Sequence, residues 1–199
     1  GRLVTPYWQS ADGSITVFCA RWEAVHAAGS VGEIDLIHAD PPYGVNERTE
    51  RAKAGRSKRW RCRDFPAVHG DDRPFDPAPI VALDRRLVLW GANHYSDRVP
   101  GSPSWIVWDK RDGIGPNDNA DGELAWSNLG GPLRIFRHTW SGVIRASESG
   151  TTVLAPTQKP KALSTYVFQK AKLRPGALVF VPYLGSGPDL PAAVAMGLR

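Results

Sequence analysis

The chain has 199 residues, 42% of them hydrophobic, with 25 Lys and Arg against 20 Asp and Glu for a formal net charge of +5, and its mean hydropathy is -0.32. That describes a globular chain long enough for one domain with a sizeable core, read as a single unit over 1–199. No segment approaches the ~18 consecutive apolar residues that cross a bilayer, the start lacks a secretory signal profile, and Cys19 and Cys62 stand far apart without CxxC or Cys/His spacing, so a cytoplasmic protein without membrane, disulfide framework or metal centre is expected.

In chain order, residues 14–19 read as a strand, followed by a helical stretch over 21–28 that stops at Gly29. Residues 34–39, Ile-Asp-Leu-Ile-His-Ala, form a short apolar-rich run of the kind buried in a parallel sheet. After a loop at about 45–72 come a helix over 77–84, strands over 86–90, 105–108 and 123–126, and an extended pair within 133–144. Residues 161–172 carry helical apolar spacing behind Pro160, a natural first-turn residue. A continuous apolar strand over 177–181 and a helix over 190–196 close the chain. The alternation is that of an α/β fold with a mostly parallel sheet, without internal repeat or second domain. Trp90, Trp105, Trp108 and Trp126 fall in strands and read as core or pocket wall; Trp140, beside Arg137 and His138, is open to a substrate-side role.

Asp40-Pro41-Pro42-Tyr43 follows the 34–39 strand, so it lies at the carboxyl edge, where open α/β sheets bind ligands. Two prolines fix their own φ and hold the preceding residue out of the helical region, freezing the local carbonyls. Asp40 and the Pro41 carbonyl can then accept both N–H bonds of an amine while Tyr43 stacks on the ring that carries it, a contact worth ~1–3 kcal/mol. The same residues also suit an ordinary strand-terminating turn.

Between Glu47 and Asp64, eight basic residues (Arg48, Arg51, Lys53, Arg56, Lys58, Arg59, Arg61 and Arg63) face three acidic ones, a local excess equal to the whole chain's net charge. Directly after the Asp40 turn, such a loop is where a phosphate backbone passes if a base is drawn into the pocket, and Trp60 within it can stack or wedge. A solvated charge run is the blander alternative.

Near the end, Pro182-Tyr183-Leu184-Gly185-Ser186-Gly187 lies between an apolar strand and a helix, within a loop spanning 181–189. Glycines there let the backbone approach a charged small molecule closely, although Gly-Ser-Gly is also a common flexible turn. Lys159, in Pro156-Thr157-Gln158-Lys159-Pro160, reads from its own residues as a surface lysine.

Taken with Leu89-Trp90-Gly91-Ala92-Asn93-His94, Trp105-Ile106-Val107-Trp108-Asp109-Lys110, Glu123-Leu124-Ala125-Trp126-Ser127 and Ile135-Phe136-Arg137-His138-Thr139-Trp140, these segments cover nearly everything from about residue 14 onward. As an ordered set they resemble the DNA amino-methyltransferases of the N6-adenine/N4-cytosine type, particularly small phage and prophage adenine methylases in the circularly permuted beta-group order. The resemblance implies a Rossmann-like class I fold, S-adenosylmethionine as cofactor, DNA as partner, a homodimer or partner subunit as an option, and base flipping followed by direct methyl displacement to adenine N6. N4-cytosine methylation and a catalytically lapsed DNA-binding relative or regulatory subunit are the alternatives. It assigns Asp40, Pro41, Pro42 and Tyr43 to catalysis, and Asp40, Lys159, Pro160, Pro182, Tyr183, Gly185, Ser186 and Gly187 to the cofactor, with Lys159 meeting the methionine carboxylate.

The chain departs from that pattern at Val181, where an acidic residue is expected, at Ala155 in place of His, at Pro188-Asp189 in place of Thr-Thr, and at Ala20-Arg21 in place of Gly-Asp. Each lost polar contact to a charged group is worth ~1.5–3 kcal/mol. The family's last strand, which follows the glycine turn and its helix, is expected to be missing, so the chain reads as a fragment in which strand 14–19 lacks its sheet neighbour.

Overall fold

Alternation along two short strands decides how the sheet is covered. In β3 (Leu36–Ala39) and β4 (Leu87–Trp90), Leu36, Val88 and Trp90 turn to one side, while Ile37, Ala39, Leu87 and Leu89 turn to the other. All eight residues of these strands are buried, as expected of strands covered on both faces. The computed structural model describes residues 3–47, 65–115, 120–141, 144–152, 154–155 and 157–199.

One face packs against α3 (Lys161–Lys170) and α4 (Asp189–Ala195), through Leu163, Val167 and Phe168 from the first and Ala192 and Ala193 from the second. The opposite face takes Trp22 of α1 (Trp22–Ala27) and Ile80 of α2 (Ala78–Val81). Helices on both faces of one sheet give a three-layer α/β architecture. None of the described helices is long and apolar enough to cross a membrane.

The remaining strands of the sheet are β5 (Trp105–Asp109), β6 (Gly122–Ser127), β7 (Arg134–Arg137) and β10 (Val179–Phe180), in the order β10-β3-β4-β6-β5-β7. Strands β10, β3 and β4 run parallel, as do β5 and β7, but β6 is antiparallel to both neighbours. The sheet is therefore mixed, mostly parallel as expected, with β6 its one reversed strand among the described residues. An antiparallel return needs no crossover helix, and no helix lies between β5 and β6 among the described residues.

The strand expected over 14–19 shortens to β2 (Thr16–Val17), which pairs antiparallel with β1 (Trp8–Gln9) outside the main sheet. Its backbone groups thus find a local partner. On the outer side of β10, Arg199 donates to the Ala177 carbonyl at 2.8 Å and accepts from the Val179 amide at 2.7 Å, the pattern of a parallel bridge across Leu178. A small hairpin, β8 (Trp140–Ser141) with β9 (Ile144–Arg145), follows β7. Trp90, Trp108 and Trp126 are buried as expected, while Trp105 stays half-buried.

A buried chain of polar groups ties α4 to the centre of the sheet. Trp90 Nε1, a donor only, reaches His38 Nε2 at 2.8 Å, so His38 carries its hydrogen on Nδ1 and donates it to Asp189 at 2.6 Å. Asp189 thereby fastens the start of α4 to β3, two residues before Asp40. Replacing Asp189 with Ala strands the buried His38 donor and is expected to cost about 1–3 kcal/mol in urea unfolding, with Asp189→Asn losing distinctly less.

Candidate active site

Strand direction gathers the site. β3 ends at Ala39 and delivers Asp40 and Tyr43 to the carboxyl edge. Because β6 runs the other way, its beginning lies at that same edge, and Glu123, paired in register with Trp108, is brought there. Lys110 follows the end of β5, and Lys159 precedes α3.

Lys159 and Glu123 are both 8% exposed. The Lys159 ammonium lies 2.6 Å from Glu123 Oε1, 2.9 Å from the Tyr43 hydroxyl and 3.1 Å from Asp40 Oδ1. An ammonium has three N–H donors, and here each has an acceptor within the chain. Glu123 Oε2 takes a further bond from Lys110 at 2.8 Å. Tyr43 Oη stands 2.5 Å from Asp40 Oδ1 and 2.6 Å from Glu123 Oε1. Asp40 Oδ2 has no hydrogen-bond partner among the described residues, and the Asp40 side chain keeps 32% of its exposure.

The protons follow from this geometry. Burial, reinforced by Asp40 and Glu123, keeps the Tyr43 phenol well above its usual range, so it holds its proton. Burial opposes the Glu123 carboxylate too, but Lys159 and Lys110 outweigh it and hold that carboxyl below the usual range. Asp40 is pushed up by burial and by the charge of Glu123, against the pull of Lys159. Burial also works against the Lys159 ammonium, yet Asp40 and Glu123 together raise its pKa. Two short oxygen contacts flank a phenol with one hydrogen, a geometry that has room for a second proton, and the upward push on Asp40 marks it as the carboxyl that favours one.

Two glycines shape the turn. Gly91, at φ +72°, lies against Tyr43 so closely that a Cβ there would stand 2.0 Å from ring carbon Cε1, and His94 stacks on the same ring at 5.1 Å between centroids. Gly44, at φ +78°, would drive a Cβ to 2.4 Å from the Arg73 carbonyl oxygen. Buried Asp71 accepts from the amides of Gly44, Val45 and Glu47 at 2.8, 3.2 and 2.7 Å, pinning the segment that leaves the turn.

The strand that leads into the glycine turn is the sheet neighbour of the strand that leads into Asp40. Phe180 is level with Ile37 across β10 and β3, so Pro182 and Tyr183 extend past the same edge as Asp40. Tyr183 accepts from Trp22 Nε1 at 3.0 Å and packs edge-on against Phe75. Gly185 and Gly187 have φ of +53° and +73°, and a Cβ on Gly185 would meet nothing within 4 Å. Pro160, buried, begins α3 at φ -73°. Lys159, which reads as a surface lysine from its own residues, is instead buried with its donors engaged. Arg48, Arg51, Lys53, Arg56, Lys58, Arg59, Trp60, Arg61 and Arg63 lie outside the described residues. Glu123, Lys110, His94 and Asp71 received no role from sequence reasoning. The signal for Glu123 was a carboxylate at the head of an otherwise apolar strand.

Two hollows of about 470 and 510 Å³ lie elsewhere, one beside Val107, Ile135 and Arg137, the other between Trp8 and α4, and neither includes Asp40.

No family model matches the sequence, and no curated protein matches it. Among solved structures, the chain is similar to the protein in the crystal structure of the M1.HpyAVI–SAM complex, with 20% identity over 84% of this chain and 80% of that one and a TM-score of 0.41.

Lys159→Met removes the cation that three oxygens share, and at neutral pH it is expected to cost about 3–5 kcal/mol in chemical unfolding. Glu123 has a lowered pKa in the folded state, so its contribution is present above its ordinary value of 4.5 and fades as pH falls below it. The gap between wild type and variant should therefore narrow in acid, and a pH-independent gap would contradict this electrostatic account.

Proposed function

We propose that the chain transfers a methyl group from S-adenosylmethionine to the N6 amino group of adenine in DNA. One observation carries the reading: Asp40 has one oxygen clamped by Tyr43 and Lys159 and the other left as an acceptor at the exposed edge of the sheet. A carboxyl held in that way is pre-oriented to receive an amine N–H, and the Pro41 carbonyl, on the same rigid diproline turn, is the second acceptor. Holding both N–H bonds aims the nitrogen lone pair, and orientation of this kind supplies much of the rate in a direct displacement. The resemblance of the ordered motifs supplies the substrate class, and Asp at position 40 favours adenine over cytosine within it.

The residues present suit the cofactor at one point above all. The open space around Gly185, next to the Asp40 edge, leaves backbone accessible to a ligand. Pro182, Tyr183, Gly185, Ser186 and Gly187, with Asp40 and Pro160, are the residues that would hold it. When bound, S-adenosylmethionine supplies an electrophilic methyl group on a sulfonium. The flipped base stacks on the ring surface of Tyr43 that His94 and Gly91 leave, at an unstacking cost of a few kcal/mol. The basic residues between Arg48 and Arg63 are assigned to the phosphates on charge and chain position.

A catalytically lapsed DNA-binding relative is the second reading, and a specific observation favours it: all three donors of Lys159 are spent within the chain, and Val181 offers the cofactor ammonium no partner. Calorimetric titration with S-adenosylmethionine separates the two, since saturable binding supports the enzyme and its absence up to about millimolar concentration, a weak-binding limit, supports the lapsed form. Digestion of treated DNA to nucleosides followed by mass spectrometry should show N6-methyladenine, with N4-methylcytosine as the outcome that reassigns the base. Asp40→Ala should lower that yield by about 10²-fold or more while leaving the fold intact; undiminished yield removes Asp40 from the mechanism.

A further inference from the structure

The Asp40–Tyr43–Glu123 line contains more than amine positioning requires. Its three oxygens come from the end of β3, the turn after it and the head of β6, and their contacts of 2.5 and 2.6 Å join a half-buried carboxyl to a buried one. Lys159 touches all three. For amine capture alone one Asp40 oxygen beside the Pro41 carbonyl suffices, and a buried carboxylate behind a tyrosine hydroxyl adds nothing to it. We infer that the Tyr43 hydroxyl relays the proton shed by the substrate amine from Asp40 to Glu123, which is its terminal acceptor within the protein. This inference rests on the methyl-transfer reading and deepens it.

The balance closes without a further reactant. The nitrogen lone pair makes the new N–C bond while the C–S pair stays with sulfur, so the product nitrogen carries one hydrogen more than its neutral form. That proton passes to Asp40 Oδ2. The proton already on Asp40 Oδ1 moves to Tyr43 Oη as the phenolic proton moves to Glu123 Oε1. Each residue gains as many protons as it loses except Glu123, which ends protonated; on Asp40 the proton has moved from Oδ1 to Oδ2. Glu123 Oε2 faces Lys110, an ammonium with no lone pair to take the proton, so after product release the proton regains solvent by the reverse path, through Tyr43 to Asp40, whose side chain is 32% exposed. Lys159 does not carry the proton; beside all three oxygens it keeps them close and lowers the cost of negative charge on any of them.

The groups facing this line are Lys159 ahead of α3, Lys110 after β5, His94 stacked on Tyr43, and Tyr95, whose phenol is itself raised by burial and by Asp40 and Glu123. Any pH profile therefore belongs to the set rather than to one residue.

Two measurements test the relay. The first needs no turnover: infrared difference spectra of the resting protein at neutral pH, in water and deuterium oxide, should contain a protonated-carboxyl C=O band that Asp40→Asn removes. Absence of the band in wild type, or its persistence in Asp40→Asn, overturns the direction of the relay. The second is single-turnover methyl transfer to duplex DNA in both solvents across pH. Tyr43→Phe keeps the ring and its stacking but loses the bridge, and Glu123→Gln keeps the hydrogen bond but not the accepting charge. Each is expected to slow transfer about 10²-fold, flatten the pH profile and reduce the solvent isotope effect, with cofactor affinity unchanged. Wild-type transfer with both variants within about twofold of it and the same isotope effect, a difference too small for a lost proton step, overturns the relay and leaves the methyl-transfer reading standing. No methylated nucleoside from wild type overturns both. Should Glu123→Gln fail to fold, Tyr43→Phe carries the kinetic test, because the ring it retains still packs on Gly91 and His94.

Discussion

Everything at the sheet edge is organised around one ammonium ion. Lys159 is 8% exposed and bonded to Asp40, Tyr43 and Glu123, which belong to two separate stretches of chain. Removing a charge from water is costly unless partners replace what water supplied, and three acceptors do so here. The converse also holds: without the ammonium, two carboxyls that each lie within 2.6 Å of one phenol oxygen would repel or need further protons. The cation and the oxygens therefore specify one another's positions. A structure that must satisfy all of them has little freedom in how β3, β6 and the residues before α3 meet.

The reversed strand makes that meeting geometrically available. In an all-parallel sheet, a residue at the head of a strand sits on the edge opposite the Asp40 turn. β6 runs antiparallel to β4 and β5, so its head and the tail of β3 share an edge, and Glu123 falls beside Asp40. The buried polar line from Trp90 through His38 to Asp189 does comparable work one layer down, holding α4 and the glycine turn before it against the strand that ends in Asp40. These two networks, one at the edge and one beneath it, bring residues near 40 and residues near 185 into one neighbourhood.

Tyr43 meets two demands that pull in different directions. Its ring is a stacking surface already shared with His94 and pressed onto Gly91, while its hydroxyl bridges two carboxyl groups. The bridge fixes the ring's orientation, and the close approach at Gly91 prevents it from tilting away. A tyrosine held at both ends is a rigid platform, whereas phenylalanine would keep the platform and lose the bridge.

Much of this was legible in the chain itself. The apolar alternation of 36–39 and 87–90 determines two-sided burial, because successive side chains of a strand point to opposite faces. The diproline after β3 determines a stiff turn, since proline fixes its own φ and restricts the residue before it. Strand lengths were less legible: 14–19 contracted to Thr16–Val17 and 177–181 to Val179–Phe180, because pairing depends on a partner that lies distant in sequence. Lys159 looked like a surface residue for the same reason. Its burial depends on Glu123, thirty-six positions away in the chain, and on Asp40, farther still. No local pattern encodes the direction of β6, yet that direction brings Glu123 to Asp40. Composition and periodicity act over a few residues and so determine elements, whereas a charge cluster assembled from three strand ends exists only once the sheet order has brought those ends together.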